Sequence, residues 1–237
     1  MVVLCDGMVR SGSTWSFNVA LQLIRSSYPN QRTFGLYSES PRVLAAAARP
    51  RDSNLIIKSH ILDSSAHGLL RAGAIKAIYT WRHPYDAIVS SMHMFGYSVD
   101  HWVEVFRRTL GIWKFHEATG TGCIIAYDSI IETPALCVEK VAAYLKLNID
   151  FQQARQIAAA MSLERVKHLS QGVERLEGSR LVRQGGHIYD RETLLHQNHS
   201  PNGRSGYGFE SLNSSQISLI DAMLKEEGLA FLCGSYR

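Results

Sequence analysis

The sequence predicts an α/β protein of three layers, with a central parallel sheet of about four to five strands flanked by helices and a P-loop-like turn after the first strand. Three observations carry this. Short, wholly apolar runs recur along the chain, as strands buried on both faces require. Segments of helical period separate them. The first run leads straight into Gly7-Met8-Val9-Arg10-Ser11-Gly12-Ser13-Thr14, which has the glycine spacing of a phosphate-binding loop but Ser13 in place of its lysine.

"VVLC" is the first strand, and "TWSFNVALQLIRSS" after the loop carries Trp15, Val19 and Leu23 at helical spacing. "RPRDSN" punctuates, and "LIIKSH" is a second buried strand ending in polar residues. "SSAHGLLRAG" reads as a short helix closed by Gly73. "AIKAIYTW" is the third strand, with Arg82 at its end. His83-Pro84 opens a helix over "YDAIVSSMHMF", proline standing where its missing N–H costs nothing. A longer helix covers Asp100 to His116.

"GCIIAYDS" is the fourth strand. "TPALCVEKVAAYLKL" is a helix with Val138, Val141, Ala142 and Leu145 on one stripe, and "DFQQARQIAAAM" is another. From 163 to 207 the periodicity weakens and Gly, Ser, Arg, His and Asn dominate, which reads as a mobile segment or lid. The last helix, "NSSQISLIDAMLKEEG", is expected to be capped by Ser214 or Ser215. Residues 1–237 thus read as a single domain.

Composition excludes several classes. A formal charge of +4 without dense basic runs suits an anionic small molecule and not nucleic acid. No apolar run approaches the ~20 residues of a membrane span. Cys5, Cys123, Cys137 and Cys233 have neither metal nor redox spacing, and with a strand read almost from the first residue no signal peptide is expected in this sequence. The expected location is the cytoplasm.

In a parallel sheet ligands bind beyond the carboxyl ends of the strands. The residues to weigh are Arg10 to Thr14, Lys58 to His60, Arg82 and Tyr127-Asp128. Backbone N–H groups from Ser11 to Thr14 lead into a helix start, which attracts phosphate. The loop lysine of a triphosphatase reaches the β and γ phosphates, so its absence points to a different anion. In "KSH", His60 is a candidate general base and Lys58 a cation for a leaving oxygen. Arg82 and Ser90 lie eight residues apart and can grip one phosphate, although Arg82 could equally pair with Asp86. In "HQNHSPNGRSGYGF", Gly203 permits close backbone approach and Arg204 supplies charge, or the stretch is an ordinary turn. Met92, Met94, Phe95, Tyr97, Trp102 and Phe106 line an acceptor pocket or belong to the core.

Taken together and in this order, "RSGSTW", "KSH", "RHPYDAIVSS", "YDSIIETP" and "GRSGYGF" resemble the sulfotransferases that use 3′-phosphoadenosine 5′-phosphosulfate (PAPS). The resemblance runs from Cys5 to about Phe209. It implies sulfuryl transfer by in-line displacement, from PAPS to a hydroxyl or amine of a small-molecule acceptor, with adenosine 3′,5′-bisphosphate (PAP) as product and no metal. It assigns Ser11, Gly12, Ser13 and Thr14 to the 5′-phosphosulfate and Trp15 to stacking on adenine. Arg82 and Ser90 fall on the 3′-phosphate, Tyr127 lies near the nucleotide, and Gly203 and Arg204 close over it. His60 takes the role of base, with Lys58, Arg10 and Ser90 stabilising charge.

Some positions depart from the family pattern. Arg10 stands where lysine is usual, keeping the charge but not the readiness to give up a proton. Tyr207 stands where tryptophan is common, and Asp128-Ser129 follow the pattern only in part. A P-loop kinase-like phosphotransferase and a non-catalytic nucleotide-binding module remain as alternatives.

Overall fold

The computed structural model describes residues 1–39, 53–62, 64–184, 187–197 and 204–234. Five strands, β1 (Val2–Cys5), β2 (Arg32–Tyr37), β3 (Ser53–Lys58), β4 (Lys76–Trp81) and β5 (Gly122–Ala126), form one sheet in the order β2-β3-β1-β4-β5. Every neighbouring pair is parallel. Cys5 lies opposite Lys58, and Trp81 opposite Ala126. With this register, the residues just past these pairs emerge together along one end of the sheet.

Helices cover both faces. On one face α1 (Ser13–Ser27) buries Phe17, Val19, Leu23 and Ile24 with Val138, Val141 and Leu145. Those three come from the helix Pro134–Leu145. On the other face Tyr79, Ile88, Phe106, Leu110 and Ile220 pack together. Full burial of such side chains contributes about 1.5–3 kcal/mol each. These two clusters are the outer contacts of the three layers.

The four apolar runs read as strands are strands. Each helix read from the sequence is also present, the two after β4 being α3 (Pro84–Phe95) and α4 (Val99–Thr119), with α2 (Ser64–Arg71) before that strand. The differences are local. β2 is a fifth, edge strand that the apolar runs did not mark, because none of its residues is buried. Tyr127 begins a helix, Tyr127–Glu132, and does not end β5. The last helix, Ser214–Glu226, is capped by Asn213 and not by a serine: Gln216 N donates to Asn213 Oδ1 at 3.0 Å, and Asn213 N donates to Gln216 Oε1 at 3.0 Å. This reciprocal pair satisfies two orphan donors where a serine cap would satisfy one.

The weakly periodic stretch holds more structure than its composition indicates. A helix spans Leu163–Gln171, capped by Ser162. Strands β6 (Leu181–Gln184) and β7 (His187–Asp190) pair as an antiparallel hairpin, latched by Arg180 Nη2 donating to Asp190 Oδ2 at 2.6 Å. Beyond it lies a short helix, Tyr207–Ser211. Among the described residues no helix is long and apolar enough to cross a membrane.

Candidate active site

The turn after β1 is drawn tightly against β4. Met8 N donates to Thr80 O at 2.8 Å, and Gly7 lies so near that a Cβ there would sit 2.0 Å from Thr80 Oγ1. Ser11 completes this attachment. Its buried hydroxyl donates to Met8 O at 2.7 Å and contacts Thr80 O at 2.8 Å. The Ser11 side chain therefore holds the loop from beneath, leaving only its main chain for an anion. Gly12, at φ 97°, turns the chain into α1, whose first turn carries no acidic residue. The N–H groups of such a helix start are a terminus that favours an anion, and Gly12, Ser13 and Thr14 stand at this one.

Arg10 adopts a left-handed backbone, φ 62°, at a cost of about 1 kcal/mol. The turn carries its guanidinium across the site, where Nε donates to Ser90 Oγ at 3.0 Å. Burial, more than any neighbouring charge, pulls its pKa down to about 10.

Lys58, at the end of β3, supplies the second cation. Its buried Nζ donates to Thr14 Oγ1 at 2.8 Å. Burial first and the Arg10 charge second push its pKa down to about 8. The ammonium missing from the loop thus arrives from the neighbouring strand.

His60 stands two residues further on. Its Nδ1 lies 2.6 Å from Gly7 O. A carbonyl only accepts, so Nδ1 carries the proton and Nε2 keeps its lone pair. The expectation of a base titrating near working pH needs revision. Burial first, then Lys58, lowers the His60 pKa to about 3 despite the Gly7 bond. In the free chain the imidazole is neutral throughout the physiological range.

The third group sits beyond β4 and β5. Arg82, 3% exposed, places its guanidinium carbon 4.3 Å over the Tyr127 ring. The alternative partner weighed for this arginine is also at hand, its Nε lying 3.9 Å from Asp86 Oδ2. Ser90 stands further along on α3. The Trp15 indole Nε1 and the Tyr127 hydroxyl are buried and lack a hydrogen-bond partner among the described residues. Such orphans cost about 1–3 kcal/mol each. Beside the buried Lys58 and Arg82 and the half-buried Arg10, they fit a nucleotide carrying more than one anionic group.

These parts line one cavity of about 1360 Å³, which includes Arg10, Gly12, Ser13, Thr14, Trp15, Lys58, His60, Arg82, Ser90 and Tyr127. Arg204 lies outside it, 63% exposed, with Nη2 2.5 Å from Glu210 Oε1. Gly203 is outside the described residues. Of the apolar candidates, Met94, Phe95 and Trp102 line the cavity. Phe106 is core, Met92 packs against that core, and Tyr97 is exposed, stacked on His101.

The opposite wall is one that the sequence did not reveal. His187 and Tyr189 of β7, together with His196, line the same cavity. The His187 and His196 rings stand 5.6 Å apart, and an isolated bridge joins Tyr189 to His196. Burial, with Lys58, His187 and Arg10 adding to it, lowers the His196 pKa to about 4. Its only sequence signal was membership of a histidine-rich stretch. Among the described residues, no three or more His, Cys, Asp or Glu side chains group as a metal site would.

The sulfotransferase domain family matches residues 3–187. No curated protein matches the chain in sequence. Among solved structures, mouse sulfotransferase SULT7A1 complexed with PAP superposes with a TM-score of 0.64 at 14% identity, covering 96% of this chain and 83% of that one. Retinol dehydratase in a complex with retinol and PAP gives 0.65 at 15% identity, covering 95% and 80%. Its complex with androsterone and inactive cofactor PAP gives 0.64 at 14%, again covering 95% and 80%. At these identities the structural likeness is one of fold.

Proposed function

The chain belongs to the sulfotransferase domain family, and from that premise we propose that it transfers a sulfuryl group from PAPS to a hydroxyl or amine of a small-molecule acceptor, releasing PAP. One observation carries the reading. Two buried cations, Lys58 and Arg82, and the half-buried Arg10 converge with a neutral imidazole on one cavity at the carboxyl end of a parallel sheet. The bound donor would supply a sulfuryl group on a phosphate leaving group. Everything else is the work of the chain.

His60 Nε2, its tautomer held by Gly7 O, takes the acceptor's proton. Lys58 and Arg10 stabilise negative charge as the bridging oxygen departs. With a pKa near 8, Lys58 can also pass that oxygen a proton, the task for which Arg10 is poorly suited. Ser90 receives Arg10 and, with Arg82, faces the 3′-phosphate; Trp15 and Tyr127 take the adenosine side. The main chain of Ser11 to Thr14 holds the 5′ end. Gly203 and Arg204 are assigned to closure over the nucleotide.

Met94, Phe95, Trp102, Val105 and Ile112 give the remaining wall an apolar character that suits a compact, largely apolar acceptor. The retinol and androsterone of the retinol dehydratase complexes are molecules of that kind. All four cysteines are free, three of them buried, which supports a reducing compartment such as the cytoplasm.

The kinase alternative is disfavoured by Lys58. Its ammonium engages the Thr14 hydroxyl, the group a triphosphatase loop gives to magnesium. Thermal shift separates the readings: PAP should stabilise the protein strongly, ATP with magnesium little. The reverse order would overturn the proposal. A screen of hydroxyl and amine acceptors with labelled donor then identifies the substrate class.

A further inference from the structure

We infer that Asp86 is a positioning residue for recognition of the nucleotide's 3′-phosphate. Its buried carboxylate fixes the segment from Arg204 to Gly208 against the start of α3, so that Arg82 and Arg204 meet at one place. The inference rests on the donor reading above.

The sequence marks Asp86 only as a possible ion partner of Arg82. The structure gives it a larger task. Asp86 is fully buried, and its two oxygens accept main-chain N–H groups from more than a hundred residues away. Gly208 N donates to Oδ1 at 2.6 Å, and Gly206 N donates to Oδ2 at 3.0 Å. Arg82 Nε, at 3.9 Å, is beyond hydrogen-bond distance from the same carboxylate. Arg82 grips the segment separately, with Nη2 donating to Arg204 O at 3.1 Å. Ser205 Oγ bonds to Asp128 Oδ1, next to Tyr127.

The approach is too close for a side chain. A Cβ on Gly208 would lie 2.3 Å from the Tyr85 carbonyl carbon and 2.4 Å from Asp86 N. Glycine there and a carboxylate at 86 are two halves of one joint. Arg82 and Asp86, one turn apart on the "RHPYD" stretch, therefore hold the same segment from the two ends of their ion pair. Arg204 begins that segment, so its reach toward the 3′-phosphate depends on the joint.

A second role would have the opposite sign. If Asp86 only balanced the Arg82 charge, removing its negative charge would favour a phosphate. Asp86→Asn and Gly208→Ala separate the two, because the glycine change disturbs the joint without altering charge. Calorimetric titration with PAP and with adenosine 5′-monophosphate, which lacks the 3′-phosphate, reads the difference. Both variants should bind PAP about ten-fold more weakly or worse, the scale of a lost charge-assisted hydrogen bond. Their affinity for the monophosphate should stay within about two-fold.

Asp86→Asn binding PAP as tightly as the wild type or more so, with Gly208→Ala unchanged, would overturn the inference. So would equal losses for both nucleotides, the mark of a merely structural residue. Should either variant fail to fold, hydrogen exchange in the wild type decides: PAP, and not the monophosphate, should slow exchange at the Gly206 and Gly208 amides, because coupling is reciprocal. Indifference of those amides to PAP sinks the joint. A wild type that binds the two nucleotides equally would instead remove the donor reading itself.

Discussion

Lys58→Met should make the protein more stable and far less active. Lys58 is buried, and its pKa falls from an ordinary 10.5 to about 8 because burial, with Arg10 second, opposes the charge. That gap corresponds to roughly 3 kcal/mol against the folded state at neutral pH. Methionine has similar length and no charge. It forgoes the bond to Thr14 Oγ1, which returns about 1 kcal/mol of the gain. A net stabilisation of about 1–2 kcal/mol should raise the melting temperature of a 237-residue chain by about 2–8 °C at pH 7. Sulfuryl transfer should fall on the order of 10²–10³-fold, the scale of one lost electrostatic contact to the transition state. The sign with pH comes from proton counting. Between about 8 and 10.5 the unfolded chain holds a proton on Lys58 that the folded chain has released, so wild-type stability attributable to this group rises with pH. The advantage of the methionine variant should shrink across that window and vanish above it. Calorimetric melts of both proteins from pH 7 to 10.5 test this. A variant that melts lower at pH 7, or a difference that stays flat with pH, would refute the reasoning and make Lys58 a structural residue.

His60→Ala should lower turnover on the order of 10²–10⁴-fold with PAP affinity almost unchanged, and near-normal turnover removes His60 from the mechanism. Because its folded pKa is about 3 against an ordinary 6.5, its ring proton signal should stay flat from pH 8 to 5 in the free protein. PAP should bring the titration upward by opposing Lys58 and Arg10; a ring that titrates near 6.5 without nucleotide contradicts the burial. The unfolded chain binds that proton first, so His60 withdraws stability as pH falls below about 6.5. Arg10→Lys should retain activity and Arg10→Ala lose most of it. A lysine variant as inactive as alanine would show that the bond to Ser90 Oγ needs the guanidinium fork. Arg82→Ala should weaken PAP about ten-fold to a hundred-fold while sparing adenosine 5′-monophosphate, measured by calorimetry, and equal losses would assign Arg82 to the fold.

The sheet was most legible where a strand is buried on both faces, because burial there demands an apolar run. β1, β3 and β4 announce themselves in this way; β5, at the other edge, has alternating burial and is marked only by the apolar letters of "GCIIA". β2 lies at the edge with Phe34 and Tyr37 half out of the protein, so its "RTFGLY" lacks that signature. Residue types at the site were readable for a similar reason: charge and imidazole chemistry travel with the side chain. What the main chain does with them was not. Nothing in the letters says that Ser11 turns inward to Thr80, that Lys58 meets Thr14, or that burial takes His60 so far from its usual titration. His196 was hidden among ten histidines because only the hairpin Leu181–Asp190 brings it round to face Lys58's side of the cavity.

The bond between His60 and the Gly7 carbonyl has a genetic consequence. Many histidine bases are oriented by a carboxylate side chain, which a single base change can erase. Here the acceptor belongs to the main chain and has no codon of its own. Every amino acid at position 7 supplies a carbonyl, so no substitution deletes the bond outright. It fails only by displacement, when a side chain at 7 strikes Thr80 Oγ1 and pushes the turn away. In a collection of random variants, loss of base function without a change at His60 should therefore arrive coupled to loss of stability, and cluster on the two residues of that contact, Gly7 and Thr80.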